Sequence, residues 1–134
     1  MDHECGFSGC WKKIPNYICG SMIHVAQPWE VDDRINRLLE WGSGTLKGAG
    51  DIIEFHVKFE YIHPFQDGNG RIGRIIMLKQ CIENKVKLMM IHEQYADVYK
   101  IALYKAQTTG DMSDIISVIK MCERAFREER WGYE

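Results

Sequence analysis

"HPFQDGNGRIGR", His63 to Arg74, is the stretch on which the reading of this 134-residue chain turns. Within it "GNGRIG", Gly68 to Gly73, has the G-x-G-x-x-G spacing of a dinucleotide-binding loop. Such a loop follows a buried parallel strand, which reads as a continuous apolar run. What precedes this one is "DIIEFHVKFEYI", 51–62, with Ile52, Phe55, His56 and Phe59 on one helical face and Glu54 and Lys58 paired at i,i+4 on the other. Glu93 stands twenty residues past Gly73, as a ribose-binding acid would, but without the strand that spacing is a weak signal. The dinucleotide reading fails on context, and the loop becomes a joint between two helices.

Working outward, "WKKIPNYICGSMIHVAQ", 11–27, has apolar and β-branched runs on either side of Cys19-Gly20-Ser21 and predicts a small β-hairpin, with Pro15 confining its strand to an edge. "PWEVDDRINRLLEW" predicts a helix opened by Pro28, with Val31, Ile35, Leu38 and Leu39 at helical spacing. "GSGTLKGAG", 42–50, carries four glycines and predicts a flexible connection; Asp51 then sits at a cap position with Glu54 three residues on. Past the loop, Ile72, Ile75, Ile76 and Ile82 mark a helix over about 70–84. The stripe Tyr95, Val98, Tyr99, Ala102, Leu103 and Ala106 marks another, closed by "TTG" at 108–110. A last helix, capped by Asp111 or Ser113, buries Ile115, Ile119, Cys122 and Phe126. The fold class expected is all-α, a compact helical domain with one small β-hairpin, and residues 1–134 are expected to form a single domain.

Composition fits that expectation. Hydrophobic residues at 46% and charged residues at 27% belong to a chain that folds, and 134 residues suit one domain rather than a two-lobed dehydrogenase. The formal net charge of −2 gives no general footprint for nucleic acid or an anionic membrane, so neither is expected as a partner. No apolar run has the length of a membrane span and "MDHECGFSGC" lacks the pattern of a secretion signal, so the expected location is cytoplasmic. The five cysteines follow no disulfide framework, and reduced thiols are expected; a zinc site from His3, Cys5, Cys10 and Cys19 is disfavoured by their irregular spacing.

The loop itself carries chemistry. Pro64 bars helix continuation after His63, and the successive N–H groups of Gly68, Asn69 and Gly70 can form a concave nest at a helix N-terminus, where donors and dipole favour an anion. Arg71 and Arg74, three apart on the new helix, bring two guanidinium forks to the same surface, as a polyphosphate requires. Asp67 would repel phosphates unless a hard cation intervened, and it therefore predicts Mg²⁺. His63, with an ordinary pKa of about 6.5, can serve as a base near neutrality. A base, a metal ligand and an anion nest suit phosphoryl-type transfer, and the twelve residues contain no Ser, Thr, Tyr or Cys to act as nucleophile, so the attacking hydroxyl or water comes from elsewhere.

The stretch resembles the signature of the Fic family (filamentation induced by cAMP), H-P-F-x-D/E-G-N-G-R-x-x-R, at all nine specified positions, and the order of predicted elements from Trp11 to about Arg127 is similar to a Fic core. The resemblance implies a protein adenylyltransferase that moves AMP from ATP to a Tyr, Thr or Ser hydroxyl of a target protein and releases pyrophosphate. It implies His63 as the base, Asp67 as the Mg²⁺ ligand, Gly68, Asn69, Gly70 and Arg71 as the phosphate cradle, Arg74 on the γ-phosphate and Phe65 as the anchor of the loop. It also implies a hairpin flap over 14–25 that holds the target as an added strand, with Lys12, Lys13, Ile14 and Pro15 as its docking edge. Doc-like relatives, which act as kinases, carry lysine in place of the second loop glycine; Gly70 and Arg74 are kept here, which favours AMP over phosphate. UMP and phosphocholine donors, and a nucleotide-binding module without turnover, stay open as alternatives.

One family feature is missing. No Ser or Thr in the chain opens the inhibitory pattern Ser/Thr-x-x-x-Glu-Gly/Asn. The chain also begins just before the flap, where the family usually has further helices. The expectation is either a fragment or short relative without its inhibitor, or an antitoxin-like protein supplying the glutamate in trans; apolar surface left by a missing helix would favour a homodimer. Among other candidates, His56 is expected to be a hydrogen-bonded core histidine, and Tyr95 and Tyr99 to be core, with Tyr104 a third tyrosine considered for a base pocket.

Overall fold

The structure, a computed structural model, describes residues 9–18 and 21–132, with side chains through 129. Five helices carry it: α1 Val31–Thr45, α2 Ala49–Ile62, α3 Asn69–Glu83, α4 Ala96–Thr109 and α5 Ser113–Gly132, with short 3-10 turns at Pro28–Glu30 and Glu93–Tyr95. No strand is formed among the described residues. No helix among them is long and apolar enough to cross a membrane.

The centre of the fold is α2. Ile52, Ile53, Phe55, His56, Val57, Phe59, Glu60 and Ile62 are all buried, so this helix is enclosed on most sides rather than half-exposed. It packs against α1, α3 and α4. On one side Ile52, Ile53 and Val57 join Met77 and Cys81 of α3, Tyr99 and Ala102 of α4, and Ile115, Ile119 and Cys122 of α5. On the other, Phe55, Phe59 and Ile62 pack with Val31, Ile35 and Leu38 of α1, and half-buried Trp11 and Phe65 close that cluster. Each buried aliphatic or aromatic side chain contributes about 1.5–3 kcal/mol of transfer free energy, so the two clusters fix where the ends of α2 and α3 meet. The site grows from that meeting point.

The glycine-rich stretch 42–50 is mostly helical, contrary to expectation. Helix α1 runs on to Thr45 and α2 starts at Ala49, which leaves only 46–48 as a connection. Packing explains it: a Cβ at Gly42 would lie 3.1 Å from the Phe55 ring, so the missing side chain lets α1 and α2 approach and repays the helix-propensity cost. Asp51 is not the cap; Gly48 holds that position, and the Asp51 carboxylate instead accepts the Lys47 N–H at 3.2 Å. At the other predicted ends, Gly110 closes α4 with φ 78, and Asp111 accepts the Ser113 N–H and hydroxyl at the start of α5.

The predicted β-hairpin is also corrected. Its turn residues Cys19 and Gly20 lie outside the described residues, and the flanking segments form no ladder. Their donors are used elsewhere: Lys12 N–H bonds to Pro64 O at 2.8 Å, and the Lys13 and Ile14 N–H groups bond to Gln66 Oε1, both at 3.3 Å. Pro15 has no N–H to give, Ser21 N–H reaches Ile18 O at 3.0 Å, and Ile23 N–H reaches Ser21 Oγ at 3.0 Å. The segment is thus strapped to the 63–68 loop instead of being paired with itself.

Candidate active site

Helix α2 ends at His63, which adopts a left-handed conformation, φ 55 and ψ 58, while its N–H still bonds to Phe59 O at 3.1 Å. A non-glycine residue in that region is uncommon and costs energy that the surroundings must offset. Here Pro64, fully buried, follows directly, and the loop is clamped on both flanks. Asn69 supplies one clamp: its Oδ1 accepts Phe65 N–H and its Nδ2 donates to Phe65 O, each at 2.8 Å, and the residue is 4% exposed. The strap supplies the other, with Asn16 Nδ2 donating to Phe65 O at 2.9 Å and Gln66 Nε2 to Ile14 O at 3.3 Å. Phe65 itself packs on Trp11 with ring centroids 5.3 Å apart.

The loop delivers the chain into α3 through Gly68, φ 80, which has no side-chain cap hydrogen bond to the helix. The first-turn N–H groups of α3 therefore stay open as donors at the positive end of the helix. A Cβ at Gly68 would lie 3.2 Å from the Arg71 guanidinium and one at Gly70 3.0 Å from that of Arg74, so both arginines fold back over this turn. Bare glycines keep the arginines and the donors on one small surface.

A cleft of about 600 Å³ opens beside it, lined by His63, Gly70, Arg74 and Glu60 on one wall and by Tyr99, Ile101, Leu103, Tyr104 and Gln107 of α4 on the other, with Ile18 and Ser21 at its edge. Of the residues expected at the site, the structure brings His63, Gly70 and Arg74 onto this lining. Asp67 and Arg71 stand outside it and are exposed, with Arg71 Nη2 3.9 Å from Asp67 Oδ2. The Asn69 side chain is consumed by the loop clamp, leaving its backbone N–H for the anion nest. Of the flap residues, Lys13, Ile14 and Pro15 are exposed, whereas Lys12 is buried, with Nζ donating to Asn16 Oδ1 at 2.7 Å. Lys12 tethers the strap and does not offer its side chain outward. Tyr99 and Tyr104 line the cleft; Tyr95 packs against the core.

Electrostatics sharpen the picture. Burial, and secondarily the Lys12 ammonium, hold His63 below the usual imidazole pKa, so at neutral pH it is unprotonated and able to accept a proton. Lys12 itself is lowered to about 8 by burial and then by Arg34. The core histidine His56 is lowered to about 4, chiefly by burial, and is neutral: Nδ1 donates to Gly73 O at 3.3 Å and Nε2 accepts from the Tyr99 hydroxyl at 2.5 Å. Burial pushes Glu60 up to about 8.

Sequence reasoning missed Glu60, Asn16 and Gln66. For Glu60 a signal existed: it is an acid three residues before His63 and four after His56, on the face of α2 that the core histidine marks as inward. Asn16 and Gln66 act through long-range contacts that spacing does not reveal.

A carboxylate with both oxygens toward water, beside an anion nest, suits Mg²⁺, which is typically held by one or two carboxylates together with phosphate oxygens and waters. The Asp67 side chain is 97% exposed and meets only the long Arg71 contact, so it fits that group.

Comparison with known proteins agrees with the fold. A Fic-domain-containing signaling protein from Bacteroides thetaiotaomicron VPI-5482 superposes with a TM-score of 0.66 at 21% identity, over 84% of this chain and 49% of that one. In sequence the chain is 36% identical over 76 residues to an Aquifex aeolicus (strain VF5) protein named a probable protein adenylyltransferase, covering 55% of this chain and 24% of that protein. It is also 30% identical over 103 residues to the ribonucleoside-diphosphate reductase small chain of Ostreid herpesvirus 1 (isolate France), 74% of this chain and 17% of that one. The chain thus spans about a quarter or less of these two relatives in sequence and about half of the structural one. The Fic/DOC family model matches residues 3–81, more than half of the chain and the whole of the His63–Arg74 loop, and the chain belongs to the Fic/DOC family.

Proposed function

We propose that this chain is one Fic core, residues 1–134, acting in the cytoplasm as a protein adenylyltransferase that moves AMP from ATP to a Tyr, Thr or Ser hydroxyl of a target protein. The observation that carries the reading is convergence: an unprotonated His63, the open N-terminus of α3 and Arg74 meet at one cleft of about 600 Å³. The likeness to the Aquifex protein named as an adenylyltransferase supports the same reaction type.

In this reading the ATP phosphates lie against the N–H groups of Gly68, Asn69 and Gly70, with Arg71 and Arg74 on the outer oxygens. Mg²⁺ at Asp67, when bound, neutralises phosphate charge as the leaving group develops. The target hydroxyl oxygen forms a bond to the α-phosphorus, the bond from that phosphorus to the bridging oxygen breaks, and pyrophosphate leaves with the electron pair. His63 takes the hydroxyl proton. The low pKa that keeps it unprotonated also limits its basicity, so most of the rate enhancement falls to positioning and charge stabilisation rather than to the base. The exposed edge Lys13, Ile14 and Pro15 is where the target segment docks, beside a strap already anchored to the loop.

The test is mass spectrometry of proteins modified after incubation with Mg²⁺ and ATP. AMP on hydroxyl residues, absent with His63→Ala, supports the proposal; phosphate alone would make the chain a kinase, and no adduct with ATP bound would leave a binding module.

A further inference from the structure

On the other side of the fold, a second pocket of about 450 Å³ lies over α2 and is walled by α1 and α3, both of which pack on that helix. Its lining is largely apolar: Trp11, Phe55, Phe59 and Phe65 supply four aromatic rings, and Ile72 and Ile76 of α3 add aliphatic surface. It shares no lining residue with the cleft that holds His63. Its volume lies within the range of small-molecule sites.

Among these apolar walls stands a buried polar group without a partner. Gln80 lines the pocket and is 7% exposed, and its Oε1 is buried with no hydrogen-bond partner among the described residues. Helix geometry explains its place: Ile72, Ile76 and Gln80 follow at four-residue intervals, so position 80 shares the α3 face of the two isoleucines. Asn84 does not relieve it, because Asn84 Nδ2 donates to the backbone carbonyl of Gln80, at 2.8 Å, and not to the side chain. An unpaired buried amide is costly where an apolar side chain of similar shape would not be. A ligand that completes the amide accounts for glutamine at this position.

The lining also sets the ligand's chemistry. The charged residues at the pocket, Lys79 and Glu83, pair with each other at 2.7 Å, so no free charge awaits an ionised group. Aromatic walls suit a flat ring, which packs on them offset or edge to face. A hydroxyl suits the amide, because it donates to the oxygen and, with the amide turned over, accepts from the nitrogen. We propose that this pocket binds a neutral ring compound carrying one hydroxyl, with the ring against Trp11, Phe59 and Phe65 and the hydroxyl on the Gln80 amide. The site is independent of the transfer chemistry and of ATP. Trp11 and Phe65 nonetheless belong to both regions: their rings are 5.3 Å apart, and Phe65 is the residue that the Asn69 amide clamps, so an occupant touches the support of the His63 loop.

The experiment titrates 2-naphthol into ¹⁵N-labelled protein, beside 2-methylnaphthalene, which has the same rings with a methyl group in place of the hydroxyl. The Trp11 indole N–H and the Gln80 side-chain amide report binding. The expected result is that 2-naphthol shifts both resonances, and that the ratio of the two affinities moves about fivefold toward the methyl compound in Gln80→Leu, the size of one neutral hydrogen bond. Gln80→Leu should fold at least as stably as wild type, since it removes an unpaired polar atom. Ser43→Trp, which sets a bulky ring at an exposed position on the pocket edge, should abolish binding of both compounds. Unmoved Trp11 and Gln80 resonances, or the same affinity ratio in wild type and Gln80→Leu, would overturn the proposal.

Discussion

The Lys12 backbone N–H donates to Pro64 O at 2.8 Å, which ties a residue fifty-two positions upstream to the peptide just after the candidate base. The same lysine places its ammonium close enough to His63 to depress its pKa, as the second cause after burial. One residue thus braces the loop and keeps a proton off the histidine.

Rate should reflect this. With the His63 pKa held below 6.5, the unprotonated form dominates at neutral pH, and transfer falls only as the medium is acidified through the lowered value. Lys12→Met retains the backbone bond and most of the buried volume but removes the charge. The acid limb of its kcat/KM profile should move to higher pH, by less than the full depression because burial remains. An unmoved limb would show that Lys12 only braces the loop.

Asn69 makes a second test of the loop. Its amide spans Phe65 with two 2.8 Å bonds at a buried position, so Asn69→Ala should cost about 2 kcal/mol in urea unfolding, as two lost bonds of roughly 1 kcal/mol each would. Transfer should fall along with it, because His63 sits in a left-handed conformation that the clamp helps to hold. Unchanged stability would mean that the strap alone keeps the loop in place.

The helices were legible because apolar positions recur at helical spacing, and Tyr99, Ala102 and Ala106 or Ile115, Ile119 and Cys122 are buried as that spacing requires. The central role of α2 was only half legible. Its near-complete burial brings in Ile53, Val57 and Glu60, which a one-sided pattern assigns elsewhere. The glycines at 42 and 44 looked like breaks, since a local rule cannot see Phe55 packing into the space at Gly42. No ladder forms between the described arms of the expected hairpin for a related reason: the partners of 12–14 are Pro64 and Gln66, some fifty residues away, and not the facing arm. At the site, the motif marks candidate residues; that His63, Gly70 and Arg74 line one cleft with the buried Glu60 follows from how α2, α3 and α4 pack, which spacing along the chain does not reveal.

Gly73 should tolerate no side chain. A methyl group at 73 would collide with Glu60 Oε2 and come within 3.1 Å of the Phe59 ring, so Gly73→Ala forces α2 and α3 apart or expels Glu60. Overpacking of this kind costs about 1–3 kcal/mol, more than the gain in helix propensity from alanine. Chemical denaturation measures it, and a stabilised variant would contradict the packing described.

Glu60 also imprints a pH dependence on stability. Its folded pKa of about 8 lies above the unfolded value near 4.5, so the folded state binds the extra proton and stability declines as pH rises between those values. His56, lowered to about 4, acts in the opposite sense up to 6.5, and the two partly cancel there. From pH 6.5 to 8 the Glu60 effect should stand clear. Wild-type stability relative to Glu60→Gln should decrease across that window, and parallel curves would mean that Glu60 is ionised in the folded protein.

Asp67→Asn should raise the Mg²⁺ concentration needed for half-maximal transfer by about tenfold or more, since one charged ligand of the ion is lost. Its fold should be unaffected, because the carboxylate is almost fully exposed. Equal Mg²⁺ dependence in both proteins would place the ion elsewhere.

The most direct test of the account is protein labelling by α-labelled and by γ-labelled ATP with Mg²⁺ and cell lysate, with His63→Ala alongside. The expected result is protein label from the α-phosphate alone, lost in the variant while ATP still binds. Label from the γ-phosphate, or α-label undiminished in His63→Ala, would contradict it.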